Sequence, residues 1–480
     1  MSRFGRHFVR IHELKAFERR LVKLLVDRPG ALHQRHEALV RYALSMAQLH
    51  LFRTPVGLDV NLADEVDDLR TWIHEAIVPM LPQDGEANVD GLRQIAPTLA
   101  IRVDRTRTNL LLNHVNEFGP EHLDDELRTK RLALVLGGGG GSGLLHLGLF
   151  SMLNEMGVVP ELIVGSSMGS IMGLVRAIDR SYDPVTTALA LPRGMDFQTI
   201  FKPFTGYSRY GFPGAFHLNL LRVGREIFES LVGSGMPTFA DLPIKLEVVA
   251  TGIRTGFRID ATPYEKLALE EPDVSATSMR KRLALFFSAT LELSRNSRFL
   301  TQVVFGRDET ANFPVIEAVG FSCAVPGLLN YDIFHDDPET VRPLDEIFEK
   351  HRLLRLCDGG VVNNVPSQVA WESVQSGTIG YRNAFILAAD VFAPVTRGAN
   401  MIWIPIQQIA RPTVVANRPY SDFHKTFRNT PSPLQIVVNS YSKLKIIVEQ
   451  SRDQLKGDEA YIRKALETLP PYGTWDISKH

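Results

Sequence analysis

The chain has 480 residues, a net charge of −1, 44% hydrophobic residues and 22% charged residues. This length predicts roughly two or three structural units, and the near-neutral charge argues against a nucleic-acid partner. The cysteines, Cys323 and Cys357, are too few for a disulfide framework or a cysteine-rich zinc site, and they fit a reducing, cytoplasmic compartment.

Residues 1–125 are predicted to form an N-terminal helical region. Apolar residues recur at helical spacing near residues 14–25, 39–49, 69–77 and 99–115. The sequence has no run of the roughly 18 apolar residues that a membrane-spanning helix needs. Charges run throughout residues 1–25, which argues against a secretory signal.

The first of these helices has a basic face. It carries Arg3, Arg6, Arg10, Lys15, Arg19, Arg20 and Lys23. Such a face suits peripheral contact with an anionic membrane. Acidic residues interrupt it, however, and this favours a helix that packs on its own domain.

The rest of the chain divides into a central unit and a C-terminal extension. Polar residues 116–130, which include Gly119-Pro120, predict a linker. Across residues 126–395, short apolar strands alternate with helical stretches, a pattern typical of an α/β fold with a largely parallel sheet. Candidate strands lie at residues 132–136, 161–164, 245–250, 353–357 and 384–391. Residues 396–480 are predicted to be mainly helical, with helices near 436–455 and 460–469.

A run of glycines, residues 137–141, follows the first candidate strand directly. Consecutive glycines do not continue a strand or helix cheaply, and they suit a tight turn whose backbone N–H groups can face a ligand. An apolar helix is predicted after the turn, with Gly157 at its end. The glycine run is therefore a candidate binding loop.

The second candidate strand leads into residues 165–169, which read G-x-S-x-G. A serine at the apex of a strand-to-helix turn projects its hydroxyl above the sheet edge, and the N-terminus of the following helix favours developing negative charge. This placement makes Ser167 a candidate nucleophile.

The third motif, Asp358-Gly359-Gly360, follows the strand predicted at residues 353–357. A carboxylate at a strand end could take a proton from Ser167 and return it to a leaving group. The structural alternative is a tight turn in which the aspartate binds nearby backbone N–H groups. Acyl transfer needs a nucleophile, a base and oxyanion donors, and Ser167, Asp358 and the amides of residues 138–140 supply one of each.

The order of the glycine loop, G-x-S-x-G and D-G-G resembles the patatin-like phospholipase family. Further stretches are similar to that family, namely residues 144–148, 239–243, 249–256 and 317–327. The resemblance covers roughly residues 131–395. It implies a three-layer fold with a largely parallel central sheet.

The resemblance also implies the chemistry. Ser167 would be the nucleophile and Asp358 the base of a Ser–Asp dyad without histidine, and Gly138, Gly139 and Gly140 would form the oxyanion hole. The activity implied is hydrolysis of lipid carboxylic esters, with phospholipid or lysophospholipid as substrate, through an acyl-enzyme. This chemistry requires no metal and no cofactor.

One position departs from the family pattern. Many members have Arg or Lys just before the last glycine of the loop, where this chain has Ser142. A missing cation would weaken stabilisation of the oxyanion or of the phosphate side. This departure motivates an alternative, a non-catalytic or acyltransferase protein that binds a membrane or a partner. His146, on the helix that leaves the loop, is interpreted as structural.

Two other site interpretations are open. An α/β-hydrolase triad in the order Ser–Asp–His would need His424, because the only other histidine after Asp358 is His480. The spacing Gly138-x-Gly140-x-x-Gly143 also matches a dinucleotide fingerprint, although Gly165-Ser166 stands where the acidic residue is expected.

Residues 195–216 combine aromatic side chains with glycine and proline. The aromatic residues are Phe197, Phe201, Phe204, Tyr207, Tyr210, Phe212 and Phe216. They would either line or cover a lipid-tail pocket, or pin a long loop to the core.

Overall fold

The computed structural model describes residues 3–181, 200–204, 208–220, 237–260, 262–269, 276–392, 404–428, 430–431 and 441–474. The predicted N-terminal helices are confirmed, and each begins earlier than its apolar pattern suggested. They are α1 (Arg3–Asp27), α2 (Gln34–Ala47), α3 (Asp67–Ala76) and α4 (Val89–Asn113), with a hairpin of β1 (Leu51–Arg53) and β2 (Asp59–Asn61) between α2 and α3. Their apolar faces form a core of their own.

The linker prediction for residues 116–130 is wrong, because this segment contains helix α5 (Pro120–Arg128). Gly119-Pro120 starts the helix: glycine occupies the N-cap, and proline the first helical position, where its missing N–H costs nothing. Leu123 and Leu127, four residues apart, are buried in the N-terminal core. The domain boundary predicted at residues 125–126 falls within this helix.

Three basic residues of α1 contact other parts of the protein. The Lys15 ammonium lies 2.7 Å from Asp422. Arg19 and Arg20 donate to the carbonyl oxygens of Ser421 and Leu81. These contacts favour the interpretation that α1 packs on the protein. Within the described ranges, no helix combines the length and apolar character needed to cross a bilayer.

The main sheet contains strands β3 (Arg131–Leu136), β4 (Leu162–Ser166), β7 (Lys245–Arg254), β8 (Leu300–Phe305), β10 (Leu353–Cys357), β11 (Ala384–Asp390) and β12 (Phe423–Thr426). Strands β7, β4, β3, β11 and β12 are neighbours in that order, and each pair is parallel. Strands β8 and β10 both run antiparallel to β7. The predicted α/β class with a largely parallel sheet is confirmed.

Helices cover both faces of this sheet. Among the described residues after α5, the helices are α6 (His146–Glu155), α7 (Met168–Ala177), α8 (Thr262–Leu269), α9 (Ala276–Arg295), α10 (Val315–Ser322), α11 (Pro338–His351), α12 (Gly360–Asn363), α13 (Ser367–Ser376), α14 (Ile404–Asn417), α15 (Tyr441–Leu455) and α16 (Glu459–Leu466). Alternate strand residues point to opposite faces. One face packs on α6, α7, α10 and α15, and the other packs on α13 and α14.

Strands β4 and β10 end facing each other along the same side of β7. Residues 248–249 of β7 pair with both β4 and β8, and residues 251–253 pair with both β8 and β10. Because a strand has only two sides, β4 and β10 share the side opposite β8. Strand β4 ends with Ser166 paired to Val249, while β10 runs the other way and ends with Cys357 paired to Thr251. The residues that follow the two strands therefore meet.

The aromatic segment belongs partly to a smaller sheet of β5 (Phe201–Pro203), β6 (Gly214–Leu218) and β9 (Gly327–Asn330). Phe201, Phe204, Tyr210 and Phe212 are buried, which supports the interpretation that aromatics pin this segment to the core. The Asp332 carboxylate accepts the backbone N–H groups of residues 209–211. Phe197 and Tyr207 lie outside the described residues, as do residues 436–440 of the predicted C-terminal helix.

Candidate active site

Ser167 lies at the sharp turn between β4 and α7, with φ of 51° and ψ of −130°. A non-glycine residue in such a region costs of the order of 1–3 kcal/mol and persists only where the surroundings impose it. The flanking glycines allow this turn: a Cβ at Gly165 would lie 2.6 Å from the Ser170 Cα, and one at Gly169 would lie 2.1 Å from the Leu136 oxygen. The G-x-S-x-G spacing thus reflects backbone crowding on both sides of the serine.

Asp358 follows β10 and faces Ser167 across the gap between the two strand ends. The Ser167 hydroxyl donates a hydrogen bond of 2.6 Å to Asp358 Oδ2. The other carboxylate oxygen, Oδ1, accepts the Gly360 N–H at 2.8 Å. The hydrogen bond from the Gly360 N–H to Oδ1 is the interaction expected of a tight turn. It leaves the other carboxylate oxygen, Oδ2, to accept the Ser167 hydroxyl.

Burial raises the pKa of Asp358 from its ordinary value of 3.8 to about 6. The hydrogen bonds from Ser167 and Gly360 oppose this rise, because they stabilise the ionised carboxylate. A carboxylate with this pKa is ionised at neutral pH and is a better proton acceptor than an exposed aspartate. The arrangement suits general-base chemistry on the serine hydroxyl.

The glycine loop packs directly on Ser167. A Cβ at Gly138 would lie 2.7 Å from the Ser167 Cβ, and one at Gly143 would lie 2.3 Å from the Met168 Cγ. The Gly138 amide donates to the Asn364 oxygen at 3.3 Å. In the described part of the chain, the amides of Gly139 and Gly140 have no acceptor. The close packing on the serine favours a role of the loop there over dinucleotide binding.

Ser142, at the loop position where the family resemblance leads us to expect a cation, is fully buried. Its hydroxyl donates to the Gly139 oxygen at 2.6 Å, and its amide donates to the same oxygen at 3.2 Å. The side chain therefore closes the turn of the loop.

The histidines considered as alternatives lie elsewhere. His146 is buried, contacts the Gly137 oxygen through Nε2 at 3.0 Å, and has a pKa lowered by burial to about 4, as suits a structural residue. His424 lies on β12, in the same row as Val164 but three strands from β4. At about 4.8 Å per strand, this separation is roughly 14 Å. His480 lies outside the described residues.

Two residues of the site were missed by the sequence analysis. The Ser322 hydroxyl accepts the Ser167 N–H at 2.8 Å, and the Asn364 amide donates to the Gly138 oxygen at 3.4 Å. Asn364 lies six residues after Asp358, and its local pattern carries no signal beyond that proximity. Ser322 is distant in sequence from both members of the dyad, so only the fold reveals its contact.

Comparisons with known proteins identify similarities in the central part of the chain. A family model described as patatin-like phospholipase matches residues 134–371. A lysophospholipase of Candida glabrata is 43% identical over 70 residues, which cover 13% of this chain and 4% of that protein. A triacylglycerol lipase of Schizosaccharomyces pombe is 43% identical over 53 residues, 11% of each chain. The human patatin-like phospholipase domain-containing protein 6 is 48% identical over 55 residues, 12% of this chain and 4% of that protein.

The aligned segments are thus a small part of each relative, while the family match spans the glycine loop, Ser167 and Asp358 together. The fold of the matched region is the α/β arrangement that the resemblance implied. Through residues 134–371, the chain belongs to the patatin-like phospholipase family.

Proposed function

We propose that this chain is a serine acyl hydrolase that cleaves carboxylic esters of lipids through an acyl-enzyme. The observation that carries the proposal is the 2.6 Å hydrogen bond from the Ser167 hydroxyl to Asp358 Oδ2. Nucleophilic catalysis by serine requires a base within this range. The family membership and the names of the lipase and lysophospholipase relatives support a lipid ester as the substrate.

In the proposed reaction, Ser167 Oγ attacks the ester carbonyl while Asp358 takes the hydroxyl proton. The protonated Asp358 then gives this proton to the departing alcohol, which leaves an acyl group on Ser167. Water activated by the same carboxylate releases the fatty acid and restores the free serine. The raised pKa of Asp358, about 6, suits a group that must both accept and return a proton near neutral pH.

The glycine loop supplies the proposed oxyanion hole. Among Gly138, Gly139 and Gly140, the Gly138 amide is held by Asn364, so the other two are the donors most available to the tetrahedral oxyanion. Removal of one such donor typically costs about 3–4 kcal/mol of transition-state stabilisation. The N-terminus of α7 adds a partial positive charge near the serine.

For the substrate, we propose a phospholipid or lysophospholipid. A lysophospholipase is among the relatives, and this supports a substrate of that class. An acyltransferase would use the same acyl-enzyme with another alcohol in place of water. Products formed from mixed liposomes with and without added lysophospholipid would distinguish the two acceptors.

The proposal is tested with the full chain and its variants Ser167→Ala and Asp358→Asn. Both variants should lose hydrolysis of p-nitrophenyl esters while they keep the wild-type circular dichroism spectrum. A fluorophosphonate should label wild-type Ser167, as identified by mass spectrometry of the modified peptide. If the folded wild-type protein gave neither an adduct on Ser167 nor hydrolysis, the non-catalytic alternative would be correct.

A further inference from the structure

Ser322, the last residue of α10, lies beside the end of β4, where β4 separates from β7. It is completely buried. Its hydroxyl accepts the Ser167 N–H at 2.8 Å and donates to the Val249 oxygen at 2.6 Å. Ser166 and Val249 form the last residue pair between β4 and β7. The Ser322 hydroxyl thus bridges the two strands where the backbone of β4 leaves the sheet.

The backbone that follows Ser322 binds the other member of the dyad. The Ser322 oxygen accepts the Gly359 N–H at 3.2 Å, and the Ala324 oxygen accepts the Asp358 N–H at 2.9 Å. Residues 322–324 therefore contact Ser167 through a side chain, and they contact the backbone of Asp358 and Gly359 through one carbonyl group each. A shift of this segment would move one partner relative to the other.

The strained conformation of Ser167 makes these contacts important. The Ser167 carbonyl is held by the Ser170 amide and hydroxyl at 2.8 Å and 2.6 Å. The peptide on the other side is held by the Ser322 hydroxyl. Because both the N–H and the carbonyl of Ser167 are held by hydrogen bonds, the residue stays at a positive φ that it would not keep in an unconstrained chain.

We propose that Ser322 is a positioning residue for acyl transfer: it holds the backbone of Ser167 so that its hydroxyl meets Asp358. This inference rests on the function proposed above. Ser322 contacts no reacting atom in this scheme and acts only through Ser167. Its loss should slow the chemical step, because misplacement of a nucleophile by about 1 Å can cost about 100-fold in rate.

The test uses Ser322→Ala and Ser322→Cys, with Ser421→Ala as the matched control. Cysteine keeps nearly the size of serine but is a weak hydrogen-bond partner, so it preserves the packing if alanine does not. Ser421 is also buried, and its hydroxyl donates to a carbonyl, that of Arg418, at 2.8 Å. Its removal costs one part-buried side-chain hydrogen bond near the start of β12, away from the candidate site.

We expect Ser322→Cys, and Ser322→Ala where it folds, to lower kcat for a p-nitrophenyl ester by about 10- to 100-fold. KM should stay within about twofold of wild type, because the lost contact acts on the nucleophile and not on the substrate. Labelling of Ser167 by a fluorophosphonate should slow in parallel. Ser421→Ala should keep the wild-type kcat and labelling rate.

A folded Ser322 variant with wild-type kcat and labelling rate would overturn the positioning role while the proposed function stood. An equal loss of kcat in Ser421→Ala would also overturn it, since the effect would then reflect general stability. A wild-type protein without hydrolysis or labelling would remove the proposed function and this inference together.

Discussion

Replacement of Asp358 by asparagine should abolish hydrolysis and yet stabilise the folded protein at neutral pH. Asparagine has the shape of aspartate without its charge. Its amide oxygen can accept the Gly360 N–H, and its amide nitrogen can donate to the Ser167 hydroxyl, so both hydrogen bonds of the carboxylate have a replacement. What the substitution removes is the cost of a buried ionised group.

The size of this cost follows from the pKa of Asp358, which burial raises from 3.8 to about 6. Below pH 3.8 the group is protonated in both the folded and the unfolded chain, so it contributes no penalty. As the pH rises from 3.8 to about 6, the unfolded chain loses its proton while the folded chain keeps it. Stability therefore falls with rising pH across this window. This difference in pKa, about 2, corresponds to a loss of about 3 kcal/mol in the free energy of unfolding by pH 7.

Thermal denaturation of wild type and Asp358→Asn, measured from pH 4 to pH 8, tests this reasoning. The midpoint of the variant should exceed that of wild type by an amount that grows up to about pH 6 and is constant above it. Asp241→Asn is the control of opposite sign, because hydrogen bonds from Thr238 hold the pKa of Asp241 below its usual value. This second variant should be less stable than wild type near neutral pH.

A pH-independent difference between wild type and Asp358→Asn would refute the buried-charge argument, as would a variant that melts below wild type at pH 7.5. The same pKa also predicts an acid limb in wild-type activity. Since Asp358 must be ionised to accept a proton, kcat/KM should fall as the pH drops below about 6.

Three further substitutions, the first with a matched control, probe other parts of the structure. Gly138→Ala places a Cβ 2.7 Å from that of the nucleophile and should lower kcat/KM by about 100-fold, whereas Gly457→Ala meets open space and should leave it unchanged in the same ester assay. Lys15→Met leaves the buried carboxylate of Asp422 without its 2.7 Å partner and should destabilise the protein by about 3–5 kcal/mol, measured by denaturation at pH 7. His424→Ala should retain hydrolysis, and its complete inactivation with the fold intact would contradict the dyad.

The local parts of the site could be predicted from the sequence because each depends on neighbouring residues. The glycines around Ser167 mark a turn that needs close backbone approach, and their spacing is visible without a structure. The N-terminal helices were predictable from the spacing of their apolar residues. Gly119-Pro120 suits both a linker and the first turn of a helix, and only the burial of Leu123 and Leu127 decides between them.

The meeting of Ser167 and Asp358 could not be derived from local pattern, because it depends on the direction of β10. An alternation of strands and helices predicts a parallel sheet, in which Ser167 and Asp358 would follow strands that point the same way. Strand β10 instead runs antiparallel to β7 and ends opposite β4. The resemblance to the family implied a Ser–Asp dyad, and the register of the two strands accounts for the contact between Ser167 and Asp358.

The regions outside the family match complete the catalytic sheet. Strands β11 and β12 follow residue 371, and β11 lies directly beside β3, which leads into the glycine loop. Helix α15 packs on α6, and its Ser451 hydroxyl donates to the Leu145 oxygen at 2.7 Å. On the other side, Glu126 of α5 accepts the backbone N–H groups of Arg382 and Asn383 at 2.9 Å and 2.7 Å. Because these contacts fix the strands and helices that carry the loop, the flanking regions are structural parts of the catalytic unit.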